Sequence, residues 1–324
     1  MREDSMPPMR RRALLLGVAG LSAPHAARAQ ADATRIVVNF PPGGALDGSA
    51  RLLAEHAMRE GRGTVVVENR PGAGGNLGAA AVARAQPDGR TLLAALDTAL
   101  TVNPYLYRDV GFDPQRAFIP VANLGSFMLV LLVHPSHPAR SLPEFIEAAR
   151  RSPVFYTSGS VGSPGHLAME HLRQLAGLSK DALEHVPQRG NAEALTALVS
   201  GQVPAGFLAI GGGPDLVRSG RLRALAVSGT ARHPLLPDVP TVAESGVAGF
   251  EVRIANLLLA PRGTPEAAVA DWARLGRGLL ASEAARGRLA GWGIDPPEED
   301  AARFIAANGA RFERVVREAG MRAD

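Results

Sequence analysis

Four short loops carry residues able to do chemistry. The first, NFPPGGALDGSAR (39–51), ends a β-like run with two prolines and two glycines and then enters a helical pattern. Pro41 and Pro42 stiffen the turn. Gly43 and Gly44 strip it of side chains, so helix-start N–H groups can approach a ligand closely. Such amides favour an anion, a carboxylate or a phosphate, although an ordinary tight turn has the same composition. Asp47 falls in the first helical turn. It either caps the helix or holds a ligand ammonium, hydroxyl or water.

The second loop, RPGAGGNLG (70–78), imitates a dinucleotide fingerprint, with Asp97 further on. Its spacing is G-x-G-G-x-x-G and it follows the second strand rather than the first, so nucleotide binding is set aside. The third, TSGSVGSPGHL (157–167), offers Ser158, Ser160 and Ser163 with His166 at the next helix start. A Ser/His hydrolase is the enzyme reading, but no G-x-S-x-G elbow occurs in the chain. His166 therefore reads as a packing or ligand-contacting residue rather than a base. The fourth, HVPQRGNAEAL (185–195), places Arg189 and Gly190 between a strand and a helix. Arg189 either binds a carboxylate bidentately or is a surface arginine. The eight histidines contain no H-E-x-x-H pair, so no metal site is expected.

The elements that must position these loops alternate. RIVVNF (35–40), TVVVEN (64–69) and TLLAAL (91–96) read as strands, each followed by a loop and a helix-like segment. βα units of this kind predict a mostly parallel sheet with its ligand at the carboxyl ends of the strands. FMLVLLVHP (127–135), VFYTS (154–158), LEHVP (183–187), VPAGFLAI, LRALAVSG and FEVRIANLLLAP add further strands. The Pro-rich stretch 228–246 and the run around 121–130 are candidate crossings between two domains.

Composition narrows the function class. The 324 residues contain no cysteine, which excludes a disulfide framework, thiol chemistry and a lipidated membrane anchor. Net charge is +4 and pI about 10.2, but aromatics are only 5% and the basic residues are scattered, which argues against nucleic acid. MRRRALLLGVAGLSAPHAARAQ (9–30) reads as an export signal cleaved after Ala29, through either the general or the twin-arginine route, with Met1 or Met9 as the start. A protein of the periplasm follows.

Taken in order, RIVVNFPPGGALDGSARLLAE, VVVENRPGAGGNLGAAAVARAQPDGRTLL, VNPYLY, VLLVHPSHPARSLPEFI, GSPGHLAMEHL, LTALVSGQVPAGF, GRLRALAVSGTARHPLLPDVPTVAESGVAGFE and LLLAPRGTP resemble the substrate-binding proteins of tripartite tricarboxylate transporters, the Bug receptors. The resemblance runs from about Arg35 to the end. It implies an α/β, two-lobed type II periplasmic-binding-protein fold, each lobe a mixed sheet flanked by helices. Residues 30–126 plus 236–324 would form one lobe and 127–235 the inserted second. It implies no catalysis, no cofactor, a monomer, and a small organic carboxylate or amino-acid-like ligand handed to membrane permease subunits, or alternatively presented to a sensor protein. Ligand contacts would come from Phe40, Pro42, Gly43, Gly44, Ala45, Asp47, Leu96 and Asp97 on one lobe, and from Ser158, Ser160, Gly162, Ser163, His166, Arg189, Gly190 and Phe207 on the other.

The chain departs from this family's pattern at several points. Asp97 stands where small or neutral residues are usual, and Gln188-Arg189-Gly190-Asn191 replaces a Tyr-Lys-Gly-Gly stretch. Pro204 and Leu208 stand where acids are common. An Asp97 facing the cleft would require a cation on the ligand.

Overall fold

The structure is a computed structural model that describes residues 33–323. The export-signal reading of residues 9–30 lies outside the described residues. Strand β1 (Thr34–Val38) leads through the proline–glycine turn into helix α1 (Ala45–Arg59). β2 (Val65–Asn69), α2 (Asn76–Ala83) and β3 (Thr91–Leu96) follow, then two short helices, α3 (Thr98–Thr101) and α4 (Asn103–Leu106). β1 pairs in parallel with β2 and β3, as βα units require.

The long strand β4 (Phe118–Val133) organises the rest. Its second half continues as FMLVLLV, which the apolar pattern identifies. Its first half is hidden in sequence by Pro120 and Gly125, and the register shifts near both. Gly125 has φ 118°, and a Cβ there would lie 2.6 Å from Ile294 Cγ2. Helix α5 (Leu142–Arg151), β5 (Val154–Ser158), α6 (Pro164–Leu175), β6 (Leu183–Pro187), α7 (Asn191–Val199), β7 (Ala205–Ala209), α8 (Pro214–Arg218) and β8 (Arg223–Val227) come next. β9 (Arg253–Pro261), α9 (Glu266–Ala281), α10 (Glu283–Gly291), β10 (Ile294–Asp295) and α11 (Ala301–Ala319) complete the chain.

The strands run β2-β1-β3-β9-β4-β7-β5-β6, with β8 and β10 also paired to β4. The expectation of a mostly parallel sheet is corrected here. β9 enters antiparallel between β3 and β4, and β4 is antiparallel to β7, β8, β9 and β10. The reason is that β4 and β9 are long returning strands rather than βα units. β9 is buried on both faces along Ile254–Pro261, which explains its unbroken apolar run. β4 serves both lobes of the two-lobed fold. Phe118–Met128 pairs with β9 on one side of the crossing, and Leu129–Val133 pairs with β7 on the other.

A single hydroxyl pins this crossing. Ser228, fully buried just after β8, accepts a hydrogen bond from Leu129 N at 2.8 Å and donates to Val252 O at 2.6 Å. Its own backbone N–H donates to Leu129 O, and its carbonyl accepts from Val252 N. Ser228→Ala leaves a buried donor and a buried acceptor unpaired. The expected cost is roughly 1–3 kcal/mol, read as a lower urea midpoint at unchanged slope. An unchanged midpoint would show that the pin carries no stability.

Candidate functional site

The turn between β1 and α1 is built from below. Asp47 is buried, and its Oδ2 accepts from Gly43 N and from Arg51 Nε, each at 3.0 Å. Its Oδ1 accepts from Asn69 Nδ2 at 3.0 Å, and the same amide donates to Phe40 O at 3.1 Å. Arg51 closes the ring by donating to Asn69 Oδ1. The turn is thus tied at both ends, Phe40 O and Gly43 N. Burial alone would raise the Asp47 pKa, but the hydrogen bonds from Arg51, Gly43 and Asn69 hold it below the usual carboxylate value. Both Asp47 oxygens are spent on bracing the turn rather than on capping α1 or holding a ligand.

What the turn leaves free is backbone. Gly44 begins α1 with no side-chain cap. A Cβ built on Gly43 or Gly44 would meet nothing within 4 Å. Gly43 needs its φ of 87°, so its glycine is conformational, whereas Gly44 at φ −85° and ψ 171° could carry any side chain. Pro42, Gly43 and Gly44 are exposed, and Phe40 and Ala45 are half-buried.

Two further uncapped helix starts come to the same place. α6 begins at Ser163 and α7 at Gly190, both without a side-chain cap. Helices α5, α10 and α11 are capped by Ser141, Ser282 and Asp300, whereas α2, α3, α4, α8 and α9 also start without a side-chain cap. A Cβ on Gly190 would lie 3.7 Å from Pro41 Cγ, so the fourth loop reaches the first. A Cβ on Gly162 would lie 2.1 Å from Leu106 Cδ2, so the third loop abuts the first lobe as well. Arg189 is exposed beside this junction, and its backbone N–H donates to Glu193. The third and fourth loops therefore both touch the first half of the chain, Gly162 at Leu106 of α4 and Gly190 at Pro41 of the elbow.

The serines behave differently from expectation. Ser158 is fully buried; its Oγ donates to Ser160 O at 3.0 Å and accepts from Ser163 Oγ at 2.9 Å. With its one proton used, its 2.7 Å contact to His185 Nε2 requires the imidazole to donate. The hydroxyl protons of Ser158 and Ser163 are thus turned inward, and Ser160, half-buried, is the serine of this loop left near the surface. His166 Nδ1 accepts from Gly162 N at 3.0 Å, which places its own proton on Nε2. His166 stacks on His185 with ring centroids 4.0 Å apart, and His185 stacks on Tyr156 at 4.9 Å. Burial lowers the His166 pKa to about 3, assisted by His185, and lowers that of His185 to about 4. Both rings are neutral at physiological pH, so this wall offers donors without charge.

Three expected contacts are enclosed. Phe207 is fully buried and stacks on Phe250 at 5.9 Å, and Leu96 is buried at the end of β3. Asp97 is completely enclosed: Oδ1 accepts from Ala255 N at 3.0 Å, and Oδ2 receives the Thr101 hydroxyl at 3.4 Å. Burial, with no cation among the causes, pushes its pKa up to about 7 against the pull of those hydrogen bonds. The second glycine loop is also a packing device. A Cβ on Gly74 would sit 2.7 Å from the Tyr107 hydroxyl, on Gly75 2.4 Å from Asn39 Nδ2, and on Gly78 2.7 Å from Arg70 O. It has no room for a pyrophosphate. Among the described residues no group of three His, Asp or Glu side chains could hold a metal ion.

Asn69 and His185 shape the site yet were not singled out from sequence. Arg51 at i+4 from Asp47 was a readable signal for the turn's anchor. Asn69 and His185 end strands with no local mark, and only the β1–β2 and β5–β6 pairings bring them in.

Comparison with known proteins gives the family. The family profile described as tripartite tricarboxylate transporter family receptor matches residues 49–321. The chain belongs to this family. The protein BugT of Bordetella pertussis is 32% identical over 315 residues, covering 95% of each chain. A solved structure of Rpa4515 from R. palustris with adipate is 32% identical with a TM-score of 0.83, covering 90% of this chain and 98% of that one. MatC from Rhodopseudomonas palustris with bound malate is 33% identical with a TM-score of 0.77, covering 88% and 99%. Further matches are periplasmic binding and transport proteins. The chain is a Bug-family solute receptor of two-lobed α/β fold and not an enzyme, which sets the hydrolase reading aside.

Asp97 gives a pH-dependent stability. Its folded pKa of about 7 lies above the ordinary 3.8, so the folded state holds its proton more tightly than the unfolded chain. Its contribution to stability therefore falls as pH rises from about 4 to about 7 and is level above that. Asp97→Asn keeps the acceptor for Ala255 and removes the charge. Its melting temperature should match the wild type near pH 4 and exceed it by several degrees at pH 8. Equal temperatures at both pH values would contradict the enclosed, uncompensated carboxylate.

Proposed function

We propose that this receptor binds a small organic carboxylate between its lobes and delivers it to the permease subunits of a tripartite tricarboxylate-type transporter. The observation that supports this reading is the approach of the Gly190 loop to Pro41 of the elbow, with the helix starts at Gly44, Ser163 and Gly190 all lacking a side-chain cap. Their amides, with the Arg189 side chain at the edge, suit a carboxylate. The relatives with adipate and malate support the ligand class. Direct contacts are assigned to the amides of Gly44, Ala45, Gly165, His166 and Asn191, with Ser160, Arg189 and Gly190 beside them, while Gly43, its N–H held by Asp47, shapes the elbow. Asp47, Ser158, Ser163 and His185 support them from behind. The lobes divide near residues 126 and 235, the protein acts as a monomer, and it reaches the periplasm after cleavage following Ala29.

The lobes close over the ligand, and the closed form is what the membrane partner reads. Neutral donors suffice for this. A micromolar affinity needs only about 8 kcal/mol net, within reach of several hydrogen bonds in a dry cleft.

The test is a thermal-shift screen of residues 30–324 with mono-, di- and tricarboxylates, amino acids and NAD, repeated on Gly44→Val. A ligand at a hundredfold excess over its Kd stabilises by about 2.7 kcal/mol. We expect a rise with one carboxylate class. We expect it to vanish in Gly44→Val while the ligand-free melting temperature holds, because the valine side chain enters open space at an ordinary backbone angle. A screen without any carboxylate response, or an equal response in the variant, overturns the assignment.

A further inference from the structure

Two tryptophans occur in the chain and they are placed differently. Trp272 is fully enclosed and donates its Nε1–H to Gly89 O at 3.1 Å. Trp292 is half-buried between α10 and β10, where two glycines crowd it. A Cβ on Gly48 would lie 2.6–2.9 Å from three of its ring atoms. A Cβ on Gly211 would lie 2.1 Å from its carbonyl oxygen. Its neighbour Gly293, at φ 73°, would drive a Cβ to 2.5 Å from Ile210 Cγ2 and 3.0 Å from Gly211 N.

These contacts come from three different bodies. Gly48 lies in the first turns of α1, the helix that begins at the Gly43–Gly44 elbow. Gly211 lies in the single 3-10 turn that leaves β7, in the other sheet. Trp292 itself precedes β10, whose Ile294 pairs with Phe127 of β4, while Leu129 of β4 pairs with Ala209 of β7. Residues 127–129 are where β4 leaves the first sheet for the second. Rotation of one lobe against the other about this strand must slide Gly211 along the Trp292 backbone. The indole meanwhile stays tied to α1, because Arg288 sits over the ring at 5.6 Å and pairs with Glu55 of α1 at 3.2 Å.

We propose that Trp292 is a positioning residue that sets the angle between the anion-binding helix α1 and the second lobe, and so couples capture at the elbow to closure. This inference rests on the receptor reading above. An ordinary packing residue fills one body. This one seats its ring on the ligand-bearing helix and its backbone on the opposite lobe. Gly48 is the fourth residue of α1, where alanine is the better helix former, so the close approach of the ring is what requires glycine there.

The chain has no cysteine, so the geometry can be measured by labelling. Gln86→Cys and Arg151→Cys place spin labels on exposed positions, one in each lobe, and dipolar spectroscopy reads the distance distribution. Gly48→Ala is compared with Gly287→Ala, whose Cβ meets nothing within 4 Å. Trp292→Leu is the second variant, which removes the ring without touching α1. Without any ligand, Gly48→Ala and Trp292→Leu should each add a population at a different distance, and Gly287→Ala should not. With malate or adipate, whichever binds the wild type, their affinity should fall at least tenfold. Superimposable ligand-free distributions for the wild type and both test variants overturn the role of Trp292. Because that arm needs no ligand, it stands apart from the receptor reading, which fails separately if neither carboxylate narrows the wild-type distribution.

Discussion

The cleft depends on a backbone turn held open from behind. A helix N-terminus can bind an anion only if nothing else satisfies its amides. Serine, threonine or aspartate at the first position of α1 would close that site with its own side chain. Gly44 cannot do so, and Asp47 is drawn away from its own helix start to Gly43 N, Arg51 and Asn69. One buried carboxylate therefore shapes the loop without competing for the ligand. Its charge is matched by Arg51, so the turn itself does not repel an incoming anion.

The second lobe solves the same problem with neutral groups. The stack Tyr156–His185–His166 and the hydroxyls of Ser158 and Ser163 form an internal network whose protons are all assigned. Low histidine pKa values keep this wall uncharged at the pH of function. Recognition then falls to backbone amides and one exposed arginine. Under the proposed function, such a wall would select a carboxylate by donor geometry rather than by net charge, with no buried ion pair to form or break on closure.

Much of this was legible in the sequence because it is local. The strand limits of TLLAAL and LEHVP, the elbow at Phe40–Asp47 and the helix start at Gly190 follow from short-range periodicity and turn chemistry, whereas the helix read as starting at His166 begins at Pro164. What escaped is tertiary. Pro120 and Gly125 break the apolar pattern of β4 because bulges accommodate them, so half of that strand was not seen. Asp97 looked like a cleft residue since it ends a strand, yet the antiparallel arrival of β9 brings Ala255 over its carboxylate. The glycines of 70–78 and of 39–51 look alike in sequence. Only their surroundings separate the packing loop from the open one.

The proposed site rests on backbone amides at the starts of α1, α6 and α7. The most direct measurement is amide NMR of the 15N-labelled receptor during titration with the carboxylate that raises its melting temperature. The largest shifts are expected at the amides of Gly44, Ala45, Gly165, His166 and Asn191, with little change at Gly72–Gly75. Shifts concentrated in the 70–78 loop, or confined to arginine side chains at the surface, would contradict it.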